Sequence, residues 1–463
     1  MTISTRHFPT SHLLSAALLL AIGSGSAWAG DTCVGPTGAT ATGTDAVACG
    51  TNANASGVRS TAVGNGAQAT NEDAAAFGQD AQSTGFHSTA IGTQSRATGL
   101  GSSAFGWRAL ASGSESTATG NLAVASGDLS TANGRKAVAS GLGSTAVGQN
   151  AQATNEEATA IGQGAVSSGF HSTATGVRAT ASGLGSTANG WQAQATGALS
   201  TATGNNAVAS GANSTATGRA AQATGLSSTA TGQGAIANNE ETTATGQGAV
   251  SSGFHSTATG VRATASGLGS TANGWQAQAT GALSTATGNN AVASGASSTA
   301  VGRAAQATGT NSVALGAGSV ASRDNAVSVG SAGNERQVTN VADGTQATDA
   351  VNLRQLNASF AQALTQRNAA INDLRFYVDD RFVVVDERID QVSAMNAAMS
   401  NVAASVAGIR TANRFGVGAG FAGGKSAVSI GYQRGISDRA ALTISGAFTS
   451  DESSVGVGYG FGW

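Results

Sequence analysis

The sequence predicts an all-β parallel β-roll head of 14-residue repeats, then a coiled-coil stalk, then a transmembrane β-barrel anchor. Three observations carry that reading. Glycine occupies every fourteenth position from Gly64 to Gly330. Apolar residues stand at strict sevens from Leu364 to Val406. Apolar and small side chains alternate in four runs from Phe415 to Trp463.

The glycine ladder defines the head, residues 30–333. A second column falls halfway between, at Gly57, Gly85 and Gly99 and onward to Gly309. It fails only at Asn71, Asn155, Asn239 and Arg323, which are 84 residues apart. So strict a register marks short units that stack on their neighbours, and a flexible linker has no reason to keep it. The best-kept run, Ser-Thr-Ala-x-Gly, as in Ser60 to Gly64 and Ser200 to Gly204, suits a short strand. Alanines at spacing two, such as Ala193 and Ala195, suggest a second strand with a small-residue face. Two strands and two turns then make one rung. The glycines are expected to supply φ > 0 at the turns, with Asn the next most tolerant residue there. Stacked at roughly 4.8 Å, the coils make a rod about 95 Å long. Its core of alanine and threonine is thin, which argues for burial against other copies. The Thr-x-Thr pairs, Thr117 with Thr119, Thr201 with Thr203 and Thr257 with Thr259, are expected inside as core ladders. Facing outward, they would instead form a hydroxyl grid suited to ice or another ordered surface.

Composition agrees with a repeat and excludes several classes. Of 463 residues 67 are glycine, only 10% are charged and 5% aromatic, so large side chains cannot build a core over most of the length. A net charge of −2 gives no basic footprint for nucleic acid. Nothing calls for a cofactor or a catalytic centre. Gly416-x-Gly418-x-Gly420 lies in a strand with no following helix, unlike a nucleotide-binding turn. Residues 1–29 read as a signal peptide: Arg6 and His7, the apolar run from Leu13 to Ile22, and the small-x-small site ending at Ala29. The mature chain therefore leaves the cytoplasm. Cys33 and Cys49 form a candidate disulfide pinning the tip, with free thiols the alternative.

A superperiod of 84 lies over the rungs, since Gly162 to Ala212 recurs letter for letter at Gly246 to Ala296. Bulky residues follow it: Phe86-His87, Phe170-His171, Phe254-His255, and Trp107, Trp191 and Trp275. Each Phe or Trp directly follows a ladder glycine, so the rings are expected to project from turns. There they either display a binding surface or pack between subunits.

Beyond Gly330 the composition changes. Residues 334–356 form a neck containing Arg336, Gly344, Asp349 and Asn352. Residues 357–410 read as a coiled coil of three-to-four spacing, with Asn368 and Asn396 in the column alternating with the sevens, where buried Asn sets register. Residues 411–463 hold four two-faced strands, the last presenting Val455, Val457, Tyr459, Phe461 and Trp463 against alternate glycines. Four strands cannot close a barrel, and open edges in lipid leave backbone groups unpaired. Three chains sharing one barrel give twelve strands, hence an obligate homotrimer.

With these motifs the chain resembles the trimeric autotransporter adhesins of Gram-negative bacteria. Asn311-Ser312-Val313-Ala314-Leu315-Gly316 is close to that family's head repeat. Arg336 to Leu356 looks like its neck, and Arg414 to Trp463, with its aromatic last residue, like its membrane anchor. Most units here depart from that repeat, reading Ser-Thr-Ala-Thr-Gly or Ser-Thr-Ala-Asn-Gly. The resemblance implies type V secretion, an outer-membrane location with head and stalk on the cell surface, and insertion by the barrel assembly machinery. It also implies attachment to host matrix or cell-surface molecules, abiotic surfaces or sister cells. A passive coat is the bland alternative.

Overall fold

The computed structural model describes residues 31–32 and 38–463. The signal segment and Cys33 lie outside the described residues. The chain divides after Arg336 into two units.

In the first unit each coil holds one three-residue strand, such as Thr201–Thr203, and one two-residue strand, such as Val208–Ala209. Every strand pairs in parallel with its equivalent one coil on: Thr201 with Thr215, Ala202 with Ala216, Val208 with Gln222. Two parallel sheets result, one of three-residue and one of two-residue strands. Between them lie four small side chains per coil. Ser200, Ala202, Ala207 and Ala209 are each 0% exposed, and the pattern holds along the rod. The inward serine closes its own turn where it bonds the ladder carbonyl three residues back, as Ser116 Oγ does to Gly113 O at 2.7 Å.

The strand threonines do not share that core, although Thr242 takes the inward serine's place in its coil. Thr201 and Thr203 flank buried Ala202 and are half-exposed, and the same holds at Thr117 with Thr119 and Thr257 with Thr259. The expectation of inward threonine ladders is corrected. Strand alternation admits one inward residue per three-residue strand, and the gap between the sheets fits only small side chains, alanine in those strands and alanine or serine elsewhere.

The glycine argument divides likewise. The Gly64 column does take positive φ as far as Gly316, as in Gly204 at 132°. The Gly57 column does not. There a Cβ would strike the next coil, 1.8 Å from Gly225 O in the case of Gly211. The left-handed positions belong instead to the second residue after each ladder glycine, often not glycine at all: Arg59 at 56°, His87 at 54°, Leu199 at 54°. Each turns its N–H onto a carbonyl of the preceding coil, His87 N to Glu72 O at 2.9 Å and Leu199 N to Leu184 O at 2.6 Å. Asn71, Asn155 and Asn239 are thus not accepted for left-handed φ. Their side-chain oxygens take the next backbone N–H, at 2.9 Å in each case. Arg323 stands where stacking stops: Val320 N bonds Gly330 O at 2.8 Å, so the final coil is shortened.

The second unit holds one helix, Leu353–Ala407, and an antiparallel sheet of four strands, Asn413–Ala422, Lys425–Ser437, Ala440–Phe448 and Ser453–Phe461, in sequence order. Gly416, Gly418 and Gly420 face the helix so closely that a Cβ at Gly418 would lie 2.4 Å from Ala398 O. Ser429 Oγ bonds that same carbonyl at 2.7 Å. Phe415, Val417 and Phe421 point away from the helix and are exposed. The first and last strands each leave one edge unpaired within the chain. Along the helix Leu364, Ile371, Val378, Val385 and Val392 are exposed, a seam awaiting other helices. Val406 instead turns against the sheet and is buried, because strands cover this part of the helix.

Candidate adhesive turns, neck and anchor

Because each coil is flat, its two turns form two opposite edges of the rod. The first edge follows the Gly57 column and carries Phe86-His87, Phe170-His171 and Phe254-His255. The second follows the Gly64 column and carries Trp107, Trp191 and Trp275. The fold therefore brings each Phe to its His but keeps both from the tryptophans. Phe and His rings sit 3.9–4.0 Å apart between centroids. Each Phe–His turn is backed by a buried serine pair, Ser83 with Ser88, Ser167 with Ser172 and Ser251 with Ser256, at 2.6–2.7 Å. The tryptophans are 41–44% exposed, and Arg108 lies over the Trp107 ring at 4.7 Å.

One feature of these turns escapes a reading by bulk alone. An acidic pair stands one coil before each Phe–His: Glu72-Asp73, Glu156-Glu157 and Glu240-Glu241. His87 Nε2 lies 3.1 Å from Asp73, His171 Nε2 3.4 Å from Glu157, and His255 Nε2 3.2 Å from Glu241. The fourteen-residue step from acid to histidine was the available signal. Arg59 binds Asp73 and Glu72 at 2.6 Å and holds the Asp73 carboxyl below its ordinary value.

In the neck, Arg336 ends the roll by donating to Ser319 Oγ at 2.8 Å, to Val329 O at 2.5 Å and to Ala317 O. Asp349 accepts from the Thr345 and Gln346 N–H groups, each at 2.9 Å, which lowers its pKa. Asn352 caps the helix, accepting from Gln355 N at 3.0 Å. Gly344 is gripped on both sides by Gln355, its N–H by Oε1 at 2.9 Å and its carbonyl by Nε2 at 3.0 Å. Asp343, held low first by Arg354 at 2.7 Å and then by Asn352, completes the hub. Gln355, Asp343 and Arg354 were not singled out from sequence, although Asn-x-x-Gln ahead of an apolar run is a capping-box signature. In the anchor, Val455, Val457, Tyr459, Phe461 and Trp463 are exposed along one face of the last strand and beyond it. Their rings are 6.2 Å apart from Tyr459 to Phe461 and again to Trp463.

Coil, neck, helix and four-strand sheet together define a class. Residues 409–463 match the YadA-like membrane anchor domain and 337–375 the coiled stalk of trimeric autotransporter adhesins. Segments from 37–53 to 307–332 match the YadA head domain repeat. The chain belongs to the YadA-like trimeric autotransporter adhesins. Among solved structures it is similar to the collagen-binding domain of the Yersinia adhesin YadA, at 26% identity over 48% of this chain and 85% of that one, with a TM-score of 0.19.

Proposed function

We propose that this adhesin attaches a Gram-negative cell to host matrix, host cells, abiotic surfaces or sister cells. Three chains would share a twelve-strand barrel in the outer membrane, reached by type V secretion and the barrel assembly machinery, with stalk and head outside. The observation that carries the anchor is the four-strand sheet, with unpaired edges, an apolar outer face and a glycine face filled by helix. For attachment, it is the repeated exposure of Phe–His and Trp on opposite edges of the rod. Each trimer would present every such turn in triplicate, so weak contacts sum by avidity. The test is binding of cells displaying the full-length protein to immobilised matrix proteins, plastic and sister cells, before and after changing Trp107, Trp191 and Trp275 together to Ser. Binding that survives both this change and removal of the head would reject display by the turns and by the head itself.

A second reading gains from the outward threonines. Thr201/Thr203, Thr215/Thr217, Thr229/Thr231, Thr243/Thr245 and Thr257/Thr259 form five consecutive hydroxyl pairs in register. A regular grid suits ice or a mineral face. Absence of ice-recrystallisation inhibition at micromolar protein would sink that reading.

A further inference from the structure

Between residues 142 and 309 the head holds four acidic residues and four arginines. The turns separate them by sign. Glu156, Glu157, Glu240 and Glu241 lie on the first edge, and Arg178, Arg219, Arg262 and Arg303 on the second.

The acidic turn occurs three times, and in the first copy the chain fills it. Arg59 Nε meets one Asp73 oxygen at 2.6 Å and its Nη2 meets Glu72 at 2.6 Å, while His87 keeps the other Asp73 oxygen. The second and third copies have Gly143 and Ser227 where the first has Arg59. Among the described residues no guanidinium reaches their glutamates, and side-chain exposure rises from 36% at Asp73 to 66% at Glu157 and 60% at Glu241. The opposite edge changes in step. The first copy has Gln94 and Arg108, bonded to each other at 2.6 Å. The later copies have Arg178 with Gln192 and Arg262 with Gln276, so the guanidinium moves one coil nearer the acidic turns. Both arginines are exposed, and among the described residues their guanidinium groups have no bonding partner.

We propose that in the trimeric head Glu156-Glu157 and Glu240-Glu241 of one protomer pair with Arg178 and Arg262 of the neighbouring protomer, by the same guanidinium–carboxylate chemistry that Arg59 shows within the chain but from the opposite axial side, where His171 and His255 lie. In a cyclic trimer every contact joins unlike surfaces. Flat coils set about a threefold axis place the first edge of each beside the second edge of the next. From Glu157 to Arg178 is one and a half coils, about 7 Å along the rod, within reach of an extended arginine. The pairing has a task that the sheets cannot perform. The outward positions of the three-residue strands carry no charge, and from Thr201 to Thr259 they repeat identically from coil to coil, so sliding by one coil leaves that stretch equally well packed. A slip of about 4.8 Å would strand the charges, so they key the axial register.

The experiment uses full-length protein in outer membranes. Glu157→Cys combined with Arg178→Cys, treated with a bis-maleimide about as long as a glutamate–arginine pair because an axial offset of about 7 Å is beyond a disulfide, is expected to give covalent dimers and trimers on heated gels, with each single variant as background. The two residues lie on opposite edges of the roll and one and a half coils apart, outside that reagent's span within one chain. Glu157→Cys with Asn206→Cys, two coils further along the second edge, is expected to give none. No linked species from the first pair, or equal linking in both, overturns the proposal. In a second arm, Arg178→Glu with Arg262→Glu should raise protease cleavage of the head several-fold, and adding Glu157→Arg with Glu241→Arg should reverse it. Failure to reverse also overturns it.

Discussion

Gly211→Ala tests the idea that half the ladder exists for close approach rather than for backbone conformation. Gly211 is outside the left-handed region, so in open space alanine would stabilise it by about 0.4–1 kcal/mol through the unfolded chain. Here the new Cβ would lie 1.8 Å from Gly225 O and 2.4 Å from Gly225 C, against an ordinary contact above 3.4 Å. The coils must part, which breaks Ser210 N to Ala223 O (3.0 Å), Gly211 N to Ala223 O (3.4 Å) and Ser227 N to Ala212 O (2.8 Å). Three ladder bonds at about 1 kcal/mol each, less the conformational gain, leave a local loss of about 2–3 kcal/mol. Amide hydrogen exchange in the flanking coils should accelerate roughly 30- to 150-fold, at 1.4 kcal/mol per tenfold. The control is Asn213→Ala. Asn213 is left-handed at 55°, but Ala220 already holds the equivalent conformation one turn on, so the change should cost about 1 kcal/mol. If Gly211→Ala exchanges no faster than the control, the close-approach account is wrong.

Three further outcomes are expected. Arg336→Ala removes the donors that end the roll and should destabilise the last coil by about 2 kcal/mol. Exchange should then rise at 317–329 and stay unchanged near Thr201–Thr203. Gly418→Val places bulk where the Ala398 carbonyl already sits, so heat-resistant trimers should disappear from outer-membrane samples, and their persistence would show that the helix does not lie against this strand in the trimer. The neck should be acid-sensitive in one direction. Asp343 and Asp349 have lowered folded pKa values, so their stabilisation is complete above the unfolded value of about 3.9 and is lost as pH falls through the lower folded values. Exchange of the Thr345 and Gln346 amides should be constant from pH 7 to 5, after correction for intrinsic rates, and gain an extra acceleration below about pH 4.

Much of the architecture was legible because its constraints are local and periodic. The period of fourteen dictates parallel pairing of each strand with its copy, and Phe415 to Phe421 alternates because a strand has two faces. The glycine columns were legible as positions but not as causes. A sequence does not distinguish a glycine needed for φ, such as Gly204, from one needed for clearance, such as Gly211. The threonines were misplaced for a related reason. Threonine suits either face of a pleat, and only the narrow gap between the sheets assigns the inner place to Ala202. At the turns, the bulk of Phe170 and Trp191 marked the right loops but not their separation onto opposite edges. Nor did it mark the acid beside each histidine, which is a neighbour one coil away rather than along the chain.

The sequence by itself determined the repeat, the seam, the two-faced strands and so the family, because period and alternation are properties of neighbouring residues. The tertiary structure decided which face of each strand is inside, which glycines are pressed against the next coil, and that Arg59 and His87 meet on Asp73. Those facts depend on distances between coils, which fourteen residues of chain separate and one stacking step of about 4.8 Å brings together.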